Sequence, residues 1–179
     1  MRYILITIFC LGFLSACGSN PPKKTLVVPD AQGYQLADVS VTLEEKHTVE
    51  GYPDERAFEK QFSENLRSSL SEVGGLVISG EENSIRLEVT LGYFRHFSGE
   101  DTFAPSSSVA TPTFGYTYQF YQGDKLIDSY SKANQTLSQG FLNNLKTVAT
   151  AGLGNDFKKE QEDLQKIANS MAAELKKML

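Results

Sequence analysis

Apolar residues recur at two different spacings along this chain, and the spacings divide it into elements. Between residues 37 and 45, Val39, Val41 and Leu43 alternate with Ser40, Thr42 and Glu44, the period-two pattern of a strand with one buried face. Residues 84–94 repeat it more regularly: Ile85, Leu87, Val89, Leu91 and Tyr93 alternate with Arg86, Glu88 and Thr90. Short apolar runs at 25–29 and 76–79 read as further strands. Residues 114–121 and 126–130 flank Gly123-Asp124, a pair suited to a tight turn, and so predict an antiparallel hairpin. Over 54–73 the spacing lengthens to three and four, and Phe58, Phe62, Leu66, Leu70 and Val73 form one helical stripe. Tyr52-Pro53-Asp54-Glu55 suits its start, because proline's fixed φ and nearby carboxylates both favour a helix N-terminus; Gly74-Gly75 stops it. A second stripe of Phe157, Leu164, Ile167, Ala168, Met171, Leu175 and Met178 predicts a C-terminal helix capped by Asn155 or Asp156. Between them, 137–154 carries Phe141, Leu142, Leu145 and Val148 and reads as a helix interrupted near Gly152 and Gly154. This order predicts an α+β fold: an antiparallel or mixed sheet with two main amphipathic helices packed on one face.

The first residues follow neither pattern. Arg2 is followed by an apolar run over 4–13, too short to span a bilayer as a helix, and then by Leu14-Ser15-Ala16-Cys17. Those last four residues resemble the lipobox of bacterial lipoproteins. The resemblance implies a diacylglycerol on the Cys17 thiol and a cleavage that makes Cys17 the new N-terminus. The same small residues also suit an ordinary signal peptidase cutting after Ala16, which would leave a free thiol. On the lipoprotein reading, residues 1–16 are signal peptide, 17–24 are the lipidated cysteine and a polar, proline-bearing tether, and 25–179 are a single periplasmic domain. Each buried methylene adds about 0.8 kcal/mol and one acyl chain holds a protein only marginally, so a multiply acylated cysteine gives durable attachment. By resemblance to enterobacterial sorting, Gly18 after the cysteine directs the protein to the outer membrane, facing the periplasm.

Charge and cysteine content narrow the function classes. Loss of residues 1–16 removes Arg2, leaving 16 basic against 22 acidic residues, a net charge of −6 that disfavours a nucleic-acid partner. Cys10 leaves with the signal and Cys17 is blocked once acylated, so neither a disulfide nor a thiolate metal site is expected. The two histidines, His47 and His96, stand outside any metal-ligand spacing, and surface or sheet-edge roles are expected of them. Gly-x-Ser-x-Gly is missing, Gly152 and Gly154 do not open a P-loop, and no acid sits in a visibly apolar setting. No metal, cofactor or catalytic residue is expected.

Aromatic residues gather around one long connection. Tyr93, Phe94, Phe97 and Phe103 approach it and Phe114, Tyr116, Tyr118, Phe120 and Tyr121 leave it, while 98–113 is rich in serine, threonine and proline and reads as structureless. Strand alternation puts Phe94 and Tyr121 outside the helix-covered face, so Phe94, Phe97, Phe103 and Tyr121 are the candidate surface for a partner or ligand. Beyond Cys17, the order of elements is similar to YajG-like lipoproteins and, more remotely, to the lipopolysaccharide-assembly lipoproteins of the LptE family, whose fold lays helices on a sheet. That likeness is architectural and transfers no binding residue. The function expected is a membrane-anchored, non-enzymatic lipoprotein that binds or scaffolds a cell-envelope complex. A lipid or small-molecule carrier and a lipoprotein inhibitor or immunity protein are the alternatives.

Overall fold

The computed structural model describes residues 33–77, 84–103, 106–137 and 156–178. Within them the chain forms β1 (Tyr34–Glu45), α1 (Glu55–Glu72), β2 (Ile85–Arg95), β3 (Thr113–Gln122), β4 (Lys125–Thr136) and α2 (Asp156–Lys176). The strands make one sheet in the order β1-β2-β3-β4. β1 and β2 are parallel, a pairing that needs a crossover, and α1 supplies it; β2, β3 and β4 follow antiparallel. The fold is therefore α+β on a mixed sheet. The expected strand at 25–29, Cys17 with its tether, and residues 138–154 of the interrupted helix lie outside the described residues. So do residues 78–79 of the expected strand at 76–79, whose Leu76 makes a single parallel bridge to Tyr34.

Each element starts and stops for local reasons. Asp54 caps α1 by accepting the Ala57 N–H at 2.8 Å, and Glu55 adds a carboxylate to the first turn. β1 begins three residues earlier than its alternation suggests, because the register shifts between Leu36 and Asp38 and the apolar period is broken there. β4 runs on to Thr136 through a largely polar stretch, as an outer strand does when one of its faces is not deeply covered. The outer edge of β1 is closed by α1: the Val41 N–H donates to Glu59 Oε2 at 3.0 Å and the Leu43 N–H to Glu55 Oε2 at 2.9 Å.

Both helices cover the same side of the sheet. Phe58, Phe62, Leu66 and Leu70 of α1 and Leu164, Ile167, Ala168, Met171 and Leu175 of α2 are buried against Ile85, Leu87, Val89 and Leu91 of β2 and Phe114, Tyr118 and Phe120 of β3. Each large side chain so buried contributes about 1.5–3 kcal/mol, and the described residues include no cysteine. The helices also meet each other, with Ser69 Oγ donating to Asn169 Oδ1 at 2.6 Å. Tyrosines peg α2 to the sheet. Tyr34 Oη donates to the Leu175 carbonyl at 2.9 Å, while Tyr116, Tyr130 and Lys132 converge on the Glu174 carboxylate. Burial first, and then the Glu174 charge, push the Tyr116 phenol upward, so it stays a donor.

The end of the sheet near the 96–112 connection is fixed by a buried charge cluster. The Arg95 side chain is 2 % exposed and grips Glu160 of α2 with two nitrogens, at 2.7 and 3.1 Å. A third contact reaches Glu45 at 2.6 Å, and the Pro53 carbonyl accepts a fourth at 3.0 Å. Burial raises the Glu160 carboxyl and the Arg95 charge pulls it back, with burial the larger effect. Strand β2 is thereby tied to α2 and to the end of β1.

Candidate functional site

The alternation that turns Tyr93 and Phe114 into the core turns Phe94 and Thr113 to the other face, which among the described residues carries no helix. That open face is built in rows, because paired strands bring their outward side chains level. Ser40, Thr90, Thr117 and Ser131 stand in one row across all four strands. Ser40 Oγ donates to Thr90 Oγ1 at 3.2 Å, and Thr117 and Ser131 share a hydrogen bond of 2.9 Å. One row further on stand Thr42, Gly92 and Gly115, and beyond them Glu44, Phe94, Thr113 and Thr136.

Over these last rows the face sinks into a hollow of about 390 Å³. Its floor is Gly92 and Gly115, its walls carry Phe94, His96, Thr113 and Glu44, and Asn134 of β4 closes the far side. The Phe94 and His96 rings lie with centroids 4.4 Å apart and planes 34° from parallel, stacked on each other at a tilt. The glycines differ in what requires them. A Cβ on Gly115 would stand 3.0 Å from the Lys132 carbonyl oxygen and 3.3 Å from Ala133 Cα, where β4 bulges and Asn134 takes a φ of 53°. A Cβ on Gly92 would meet only the Gly115 carbonyl oxygen at 3.9 Å, an ordinary contact.

His96 joins the hollow to the connection that follows β2. One ring nitrogen lies 2.8 Å from Glu100 Oε1 and the other 3.2 Å from Thr113 Oγ1, while the Phe97 N–H donates to Glu100 Oε2 at 3.0 Å. Those two hydrogen bonds, with His96 the larger influence, hold the Glu100 carboxyl down to about 2.

The connection itself is not structureless. Phe97 and Val109 bridge antiparallel, the Ser98 N–H donates to the Ser108 carbonyl at 2.8 Å and the Ala110 N–H to the His96 carbonyl at 2.9 Å. Tyr52 Oη reaches across to the Ser107 carbonyl at 2.9 Å.

The structure separates the four candidate surface residues. Phe94 lies in the hollow's wall. Tyr121 shares the open face but stands at the opposite end of the β2–β3 pair, under the Arg86 guanidinium at 4.2 Å. Phe103 is fully exposed on the connection. Phe97 is corrected: it is 2 % exposed, its ring packed against His47 and edge-on to Tyr52, because its bridge to Val109 turns it inward. These residues do not form one site. Sequence reasoning also missed Glu44, His96, Thr113 and Asn134, which register alone brings together. Two glycines inside otherwise regular strands were the signal present for them.

Among the described residues no group of three or more His, Cys, Asp or Glu side chains is arranged to hold a metal ion, and no helix is long and apolar enough to cross a membrane. The chain matches no protein-family model, and none of the curated proteins compared with it is similar in sequence.

Proposed function

We propose that this protein is exported, held at the outer membrane by lipid on Cys17, and acts in the periplasm as a non-catalytic module that binds or scaffolds a component of the cell envelope through its open sheet face. One observation carries the reading: both helices lie on a single face of the sheet, and the other presents four strands of ordered polar and aromatic side chains among the described residues. Side chains already held by neighbours lose little freedom on binding, which favours recognition. The basic start, short apolar run and Leu14-Ser15-Ala16-Cys17 support the anchor.

Thr113, His96 and Glu100 follow the order of hydroxyl, imidazole and carboxylate used by nucleophilic hydrolases. A hydrolase also needs free N–H donors for the oxyanion. Thr113 stands in β3, which is paired on both sides, so its ladder occupies the nearby main-chain donors. The three groups are better suited to fixing the connection to the sheet.

Labelled palmitate tests the anchor. It is expected to enter the native protein and not a Cys17→Ser variant, which should shift from the membrane fraction to the soluble periplasm. An unlabelled native protein, or an unchanged distribution of the variant, would overturn the proposal.

A further inference from the structure

A glycine in the middle of an interior strand costs roughly 0.5–1 kcal/mol relative to alanine, because it leaves more backbone freedom to lose and packs no side chain. Gly115 has a structural reason for that cost in the approach of β4. Among the described residues Gly92 has none: its φ is not among the positive ones, and a methyl group there would clash with nothing described. A glycine inside a strand often marks a bulge, a tight bend, or a place that a ligand or another backbone approaches closely; Gly92 pairs in regular register with Thr42 and Gly115, so it marks no bulge. Gly92 lines the hollow.

We infer that the hollow is a binding site for a sugar ring of a neutral glycan. The proposal rests on the reading of the open face as the working surface, and adds the class of ligand. A volume of about 390 Å³ is at the small end of ligand sites and suits one or two pyranose rings. The Phe94 ring, steadied by its tilted stack on His96, offers an electron-rich face to the polarised C–H groups on one side of a pyranose. Glu44, Thr113 and Asn134 stand around the rim, where a ring lying on the glycine floor directs its hydroxyl groups. Glu44 accepts, Asn134 both donates and accepts, and Thr113 Oγ1 keeps hydrogen-bonding capacity beyond its contact with His96. The carboxylate of Glu44 and the chain's net charge of −5 oppose a phosphate or other anion. An acyl chain would leave the rim's polar groups without partners.

The probes are tri-N-acetylchitotriose and maltotriose, added to the ¹⁵N-labelled full chain in a detergent that contains no sugar. The two separate an N-acetylated glycan from a plain one. At least one is expected to shift the amides of Gly92, Phe94, Thr113 and Gly115. Gly92→Val should raise Tm, since valine suits a strand better than glycine, while weakening the sugar roughly tenfold or more. Glu44→Gln should weaken it without changing Tm. No shift with either sugar, or unchanged affinity in Gly92→Val, would overturn the inference. A less stable Gly92→Val chain would also overturn it, by showing that folding itself demands the glycine. Sugar binding is read without a membrane, so a failed palmitate experiment and a failed titration are distinct results.

Discussion

Glu100 shows how one side chain can hold a connection that looks unstructured in sequence. It accepts from the Phe97 main chain and meets His96, and the carboxylate is the form that makes both contacts. Its folded value, about 2, lies below the ordinary carboxylate value, so the group stabilises the fold fully above about pH 4.5 and less as pH falls toward 2. The Phe97 amide resonance should therefore titrate with a midpoint near 2, and the amides of Ser98, Ser106 and Ala110, which are bonded within the connection, should lose protection there. In Glu100→Gln that step should vanish, and a titration midpoint near 4.5 in the native chain would refute the assignment. None of this was readable beforehand. The sequence alone points Phe97 to the surface because its inward turn depends on Val109, twelve residues on. The Arg95–Glu160 pair joins residues 65 apart, and no local pattern announces it. By contrast, the outward direction of Phe94 and Tyr121 follows from period two alone.

At the level of elements, strong periods translated well. The helix read over 54–73 is α1 at Glu55–Glu72, and the strand read over 84–94 is β2 at Ile85–Arg95. Both are buried along one whole stripe, so hydrophobic spacing records them. β4 extends six residues beyond the strand its alternation predicts, because residues beyond Tyr130 alternate little in polarity. The parallel β1–β2 pairing is a tertiary choice, left open between mixed and antiparallel sheets.

The same scale raises the matter of sheet edges, which template unwanted pairing when bare. Glu55 and Glu59 sit one turn apart on α1 and satisfy two outward N–H groups of β1. Replacing both with alanine should destabilise the fold by about 1–2 kcal/mol and, in sedimentation velocity, increase self-association over the native chain. A double variant as stable and as dispersed as the native chain would show that these contacts protect nothing.

For the whole molecule, the division of labour between two faces is the central claim. One face buries the apolar stripes of both helices and supplies stability; the other holds the hydroxyl row, the glycine-floored hollow and the stacked Phe94 and His96 rings. Fold class was legible because it needs only the order and period of elements. The hollow was not, because Glu44, Phe94, Thr113 and Asn134 meet only through strand order and register. The most direct test is site-specific photocrosslinking in intact cells, with the reactive side chain at Thr117 on the open face or at Arg67 on the outer surface of α1. A discrete crosslinked envelope component from position 117, and none from 67, is the predicted result. Crosslinks confined to position 67, or none from 117, would contradict it.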